Sequence, residues 1–159
     1  MSLPLLNIKD FKKYSEARRQ FMGTMGCEES CRDPLSEFAE RIVCLRLNGK
    51  LAESRTQKGY DLTSGDNRRV QVKHLSNPEG KWRNEHRVSF PDDLINCAED
   101  YALVFFEGLC IKNIILFPKE GLGDVCSKLK KKHSNQESVL QLTQLNYKAL
   151  CDDLSLIHI

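Results

Sequence analysis

Between Lys58 and Lys73 the chain carries a strong signal for a tight reversal. Ser64-Gly65-Asp66-Asn67 accept the positive φ that a tight turn needs. They are flanked by Lys58-Gly59-Tyr60-Asp61-Leu62-Thr63 and Arg69-Val70-Gln71-Val72-Lys73, which hold β-branched and aromatic residues. The pattern predicts a β-hairpin and commits this part of the chain to a sheet. With the reversal centred near Asp66, Asp61 falls opposite Gln71. Strand side chains alternate, so Gln71 and Lys73 share one face while Val70 and Val72 take the other. A carboxylate, an amide and an ammonium then gather on one side of a hairpin whose other side is apolar. Burying such groups is costly unless they are paired or bind something, which makes them a candidate site.

A helix upstream supplies a fourth member. From Pro34 to about Asn48, Leu35, Phe38, Ala39, Ile42 and Val43 recur at helical spacing, and Gly49 is the expected stop. Glu40 adjoins that apolar stripe. Glu37 is the alternative acid on the same helix. As a structural role, Glu40 could equally pair with Arg41, Lys50 or Lys73.

The order of a helix glutamate (Glu40), a strand aspartate (Asp61) and then Gln71-Val72-Lys73 resembles the PD-(D/E)xK nuclease superfamily. The likeness covers Pro34 to His74, with weaker agreement to about Pro118, and is closest to restriction-type members with a GYDL segment and a QVK strand. Two departures stand out: Tyr60 occupies the place before Asp61 where a proline is common, and Gln71 replaces the usual acid. The resemblance implies a restriction-endonuclease-like α/β fold, with an α-β-β-β-α-β core and a mixed sheet flanked by helices. It implies Asp61, Gln71, Lys73 and Glu40 as catalytic residues, Mg2+ or Mn2+ as cofactor, and DNA as substrate. Gln71 lowers the negative charge of such a metal site by one unit, although an amide oxygen can still ligate a hard cation.

The chemistry can be stated independently. Phosphodiester hydrolysis needs water brought to an anionic phosphorus and added negative charge stabilised on its oxygens. A divalent ion held by a few oxygen ligands does both. Asp61 is the strongest ligand candidate, with Gln71, Glu40 and the Val72 backbone carbonyl to complete the set. Lys73 would neutralise the phosphate and orient, or help deprotonate, the attacking water.

Net charge is only +2, yet Arg55, Lys58, Arg68, Arg69, Lys73, Lys81, Arg83 and Arg87 gather around the hairpin and the segment after it. Arg55, Lys58, Arg68, Arg69, Lys81, Arg83 and Arg87 are therefore the candidate DNA contacts, with an ordinary solvated loop as the alternative. Lys128 to His133 reads as the exposed end of a helix. Phe11, Tyr14, Arg18 and Phe21 form a helical stripe between Asp10 and Met22, expected to pack rather than to bind DNA. Seven cysteines, an odd number scattered along the chain, suit reduced thiols in a cytoplasmic protein. Cys27 and Cys31 lack a second pair at zinc-finger spacing. No signal segment or membrane-length apolar run is expected.

At 159 residues and 40% hydrophobic content the chain suits one domain. Its core spans about 34–118, preceded by a helical segment at 9–33 and followed by C-terminal helices at 120–154. Lys50 to Ser54 reads as a first strand. Asp92 to Glu99 reads as a helix opened by Pro91, the crossover between the Gln71 strand and a parallel neighbour. Tyr101 to Glu107 and Ile111 to Phe117 read as buried strands. Gly123-Asp124 begins a helix. Ser134-x-x-Glu137 signals another, carrying Leu140, Leu142, Leu145, Leu150 and Leu154. Leu156 to Ile159 could form a short strand.

Dinucleotide, P-loop and serine-elbow motifs are absent. The leading expectation is a metal-dependent endonuclease of type II restriction kind. Cutting both strands would call for a homodimer or a partner subunit. A non-catalytic DNA-binding or assembly subunit, and a structure-specific resolvase or repair nuclease, are the alternatives.

Overall fold

Asp33 starts the helix that leads into the sheet. In the computed structural model its carboxylate accepts the Leu35 N–H at 2.9 Å and its carbonyl accepts the Glu37 N–H. Pro34 follows at the first helical position, where its missing N–H costs nothing. The structure describes residues 8–27, 32–53, 59–77, 86–89, 97–107, 110–128, 139–142, 144–153 and 157–159. By density of internal contacts the chain divides into Met1–Phe38 and Ala39–Ile159.

The first unit holds helix α1 (Ile8–Thr24) and the opening of α2 (Pro34–Arg46). The Arg18 guanidinium donates to the Arg32 carbonyl at 2.8 Å, and Arg32 pairs with the buried Glu37 at 3.3 Å. Along α1, Met22 is buried, but Phe11 and Tyr14 are 65% and 61% exposed, and Phe21 is also exposed, with its ring against Phe38. The stripe expected to pack is therefore largely open to solvent. Helical spacing marks which residues share a face, not whether anything covers it.

The second unit is built on a six-stranded sheet in the order β1 (Lys50–Leu51), β2 (Leu62–Thr63), β3 (Arg69–Asn77), β5 (Asp100–Glu107), β6 (Cys110–Pro118), β8 (Ile157–His158). All neighbours are antiparallel except β3 and β5, which run parallel with Gln71 beside Tyr101 and Lys73 beside Leu103. A mixed sheet flanked by helices is thus present. Parallel β5 is buried along Asp100–Phe106, as a near-continuous apolar run requires when both faces are covered.

The described backbone of the expected Lys50–Ser54 strand is paired only at Lys50 and Leu51, with the Ala52 N–H adding one bond to the Asp61 carbonyl. Residues 92–96 of the expected crossover helix lie outside the described residues, and 97–99 are not helical. The Glu99 N–H already bonds the Arg69 carbonyl at 2.8 Å, so the chain has joined the sheet by that point.

One face of the sheet carries Leu75, Tyr101, Leu103, Phe105, Ile115 and Phe117. It is closed by Val125 and Cys126 of α3 (Leu122–Ser127) and by Leu150 of α4 (Gln144–Cys151). Lys128 and Asp153 form an ion pair at 2.5 Å. The expected long C-terminal helix is instead a strand followed by a helix. Residues 134–137 lie outside the described residues, and Val139–Leu142 form β7, paired antiparallel with β4 (His86–Ser89) in a separate two-stranded sheet. Leu140 and Leu142 are therefore strand residues. A short apolar run fits helix or strand, and here a partner more than 50 residues away in sequence decides. The short strand considered at Leu156–Ile159 is present as β8, where Asn113 meets the His158 ring at 3.0 Å.

Candidate functional site

The site is built where β2 and β3 part. Their connection is a three-residue loop: the Asn67 N–H bonds the Ser64 carbonyl and the Ser64 N–H bonds the Arg68 carbonyl, both at 2.9 Å. Asn67 takes the left-handed conformation at φ 65°, giving the type I turn with a bulge that suits three-residue hairpins. The reversal centres on Asp66, as the sequence predicts. The Ser64 hydroxyl hydrogen-bonds the Asp66 carboxylate and holds it below the usual carboxylate range.

Upstream of the turn the ladder pairs Thr63 with Arg69 and Leu62 with Val70, then loses strict register. The Asp61 N–H bonds the Val70 carbonyl at 2.9 Å. Before it, Gly59 sits at φ 105°, a conformation that side-chain-bearing residues rarely adopt, so the GYD corner depends on glycine here. This corner brings the Asp61 carboxylate over the next stretch of β3. Its Oδ2 accepts two hydrogen bonds, from Gln71 Nε2 at 2.5 Å and from the Val72 backbone N–H at 2.7 Å.

The Val72 bond settles a direction. β5 takes one edge of β3, and the Val72 N–H points to the other edge, toward Asp61. In an extended strand the N–H and C=O of one residue point to the same side, so the Val72 carbonyl also faces the fork. Lys73 follows, half-buried, with no hydrogen-bond or ion-pair partner among the described residues. By register it shares a face with Gln71. That face is polar only locally, because Leu75, two residues on, belongs to the core under α3 and α4. On the opposite face Val70 and Val72 are buried, and His74 sets its ring edge-on to Phe106, as its parity with Val72 predicts.

Glu40 lies in α2, buried to 3% exposure between Ala39 and the Ile42–Val43 pair. The helix ends at Arg46 and leads into a defined dock. Asn48 turns left-handed at φ 48°, the Gly49 N–H bonds the Cys44 carbonyl at 2.8 Å, and the Leu47 carbonyl accepts the Gly65 N–H at 2.9 Å. Thus α2 is hydrogen-bonded to the same loop that joins β2 to β3. Gly49, the expected stop, is one residue past the left-handed position. It is glycine for space: a Cβ there would lie 2.4 Å from the Thr63 carbonyl oxygen. Glu37 is 1% exposed and engaged with Arg32.

Of the candidate DNA contacts, Arg68 and Arg69 carry structural bonds. Arg68 grips Asp100 through Nε at 2.5 Å and Nη2 at 2.6 Å, and this pairing pushes its guanidinium further above its ordinary range. Arg69 pairs with Glu99 at 3.3 Å while its N–H bonds the same carboxylate. Glu99 is held low mainly by that N–H. These clasps fasten the starts of the parallel strands β3 and β5 beside Gln71. Their acids lie 30 or more residues away, beyond any local charge pattern; the only sequence trace is the acid pair Glu99-Asp100 before the apolar run. Arg87 falls in β4 rather than a loop. Arg55, Lys58, Lys81 and Arg83 lie outside the described residues.

The donor set suits a hard divalent cation. A carboxylate and a backbone carbonyl facing one fork are oxygen ligands of the kind Mg2+ and Mn2+ take. Among the described residues no three or more His, Cys, Asp and Glu side chains gather to hold a metal ion. The expected set is of another kind, with two acids, an amide and a carbonyl. Among the same residues no helix is long and apolar enough to cross a membrane. No protein-family model matches the sequence, and no curated protein matches it.

Proposed function

We propose that this chain is a metal-dependent endonuclease that hydrolyses DNA phosphodiester bonds, on a restriction-endonuclease-like core. One observation carries the reading. At the β2–β3 fork, Asp61 is fixed by Gln71 and by the Val72 N–H, and Lys73 stands next along the strand without a partner among the described residues. The order α2, β1, β2, β3, then a β5 parallel to β3, is compatible with that core.

Asp61 and the Val72 carbonyl would hold Mg2+ or Mn2+, with Glu40 on α2 as the further acid. When bound, such an ion supplies charge stabilisation and an acidified water. Lys73 does the rest of the chain's work: its ammonium sits against the phosphate, offsets the added negative charge and orients the attacking water. Cleaving both strands requires a second copy or a partner subunit.

Cleavage of plasmid and phage DNA with Mg2+, Mn2+ or EDTA tests the proposal, alongside Asp61→Asn and Lys73→Ala. Asparagine retains an acceptor for the Val72 N–H, so that variant reports on charge rather than on the sheet. The expected outcome is metal-dependent cutting that falls by at least about 100-fold in each variant. Discrete fragments indicate a restriction-type enzyme, whereas cutting confined to branched or damaged DNA indicates a resolvase or repair nuclease. The amide at Gln71, where an acid would strengthen metal binding, favours a second reading as a non-catalytic DNA-binding subunit. Salt-sensitive DNA binding without cleavage on any of these DNAs would select it.

A further inference from the structure

The β3–β5 ladder begins with Val70 beside Asp100. One residue earlier, where the two strands first meet, the Arg69 N–H takes a side-chain acceptor, Glu99 Oε2 at 3.0 Å. Arg69 Nε reaches the same oxygen at 3.3 Å. A main-chain donor and a guanidinium converging on one anionic oxygen is an arrangement with which proteins hold phosphate oxygens. Here the anion belongs to the chain itself, and the corner favours its charged form: the Arg69 N–H is the largest reason that the Glu99 carboxyl stays below its ordinary range.

The two neighbouring clasps differ in how readily they open. Arg68 holds Asp100 through two nitrogens at 2.5 and 2.6 Å, and the Asp100 side chain is 10% exposed, so breaking that pair would leave a buried carboxylate uncompensated. The Glu99 side chain is 42% exposed and meets Arg69 at 3.3 Å, and exposed pairs of this kind contribute little. By alternation Arg69 shares the face of β3 that carries Gln71 and Lys73, with Lys73 about 13 Å further along the strand. We propose that the Arg69 N–H and guanidinium form a binding corner for a DNA backbone phosphate, in which the Glu99 carboxylate stands in for that phosphate and is displaced when DNA binds. This rests on the DNA reading above and deepens it: Lys73 faces the phosphate under attack, and Arg69 takes a different one. Arg68 then fastens the sheet, Arg69 contacts the substrate, and Glu99 is an internal competitor that holds DNA affinity down.

The test is binding of a fluorescently labelled DNA duplex to the full chain, in EDTA so that nothing is cut, over a range of NaCl concentrations. Wild type, Arg69→Gln, Glu99→Gln and the double variant are compared; both side chains are exposed, so the fold tolerates these changes. Arg69→Gln weakens binding and lowers the slope of log affinity against log salt by about one. Glu99→Gln, whose amide oxygen still accepts the Arg69 N–H, tightens binding about threefold, the worth of an exposed ion pair. In the double variant that gain is absent. An equal gain with and without Arg69 would reduce Glu99 to general charge repulsion and overturn the inference alone, as would no effect of either single variant. Absence of DNA binding by both the wild type and Glu99→Gln overturns it together with the DNA reading. The coupled pattern in a protein that cuts no DNA upholds the inference and sinks the nuclease reading in favour of the DNA-binding subunit.

Discussion

Helices α1 and α2 end in the same backbone motif but in different surroundings. At α1 the Cys27 N–H bonds the Met22 carbonyl and the Gly26 N–H the Gly23 carbonyl, around a left-handed Gly26 at φ 66°. At α2 Gly49 and Asn48 make the equivalent bonds to Cys44 and Leu45, around a left-handed Asn48. Among the described residues a Cβ added to Gly26 would meet nothing within 4 Å, whereas one on Gly49 would run into the Thr63 carbonyl. Stopping a helix is thus a local matter of backbone sign. Fixing it beside a hairpin is a matter of contact, and only the end of α2 does both.

The largest effect expected from this contrast is at Gly49. Gly49→Ala forces the loop away from α2 and should cost about 3 kcal/mol in urea unfolding, because the obstructing atom is backbone and has no rotamer to change. A cost under about 1 kcal/mol would mean that the hairpin shifts freely, and the distinction between the two ends would collapse. Gly26→Ala should cost about 1 kcal/mol, the penalty of a left-handed alanine in open space. A loss equal to that of Gly49→Ala would show that something else covers the end of α1.

The smallest effect concerns acid. Asp66, in the loop that docks on α2, and Glu99, beside Arg69, both have carboxyls held below their ordinary value. A depressed folded-state value contributes stability above the ordinary carboxylate range and loses it as pH falls through the lowered value. Asp66→Asn and Glu99→Gln should therefore flatten the acid limb of thermal stability slightly, since both groups are exposed. Gly26→Ala should shift that limb without changing its shape. An unchanged acid limb in both carboxyl variants would remove any electrostatic share in the docked end.

Much of the hairpin is legible because its signals are short-range. The residues at 64–67 demand a turn, alternation then opposes Asp61 to Gln71, and the apolar runs at 101–107 and 111–117 announce buried strands. What escapes depends on partners remote in the chain. Leu140 and Leu142 look helical until β4 is known to lie beside them, and Arg68 and Arg69 look like free cations until Asp100 and Glu99 are placed. The loss of strict pairing at Asp61 is also invisible in the residue pattern, although it is what swings that carboxylate onto Val72.

On the nuclease reading proposed above, that swing gives one side chain two unrelated obligations. The Val72 N–H faces the edge that β2 has abandoned, so without Asp61 a main-chain donor of the sheet would lack this acceptor. On that reading, a descendant without chemistry would still gain from an acceptor at position 61, which Asp or Asn supplies for architectural reasons alone. Persistence of an acid at that position is consequently a poor witness to catalysis. Lys73 mends no gap among the described residues, and its retention or loss is the more telling sign.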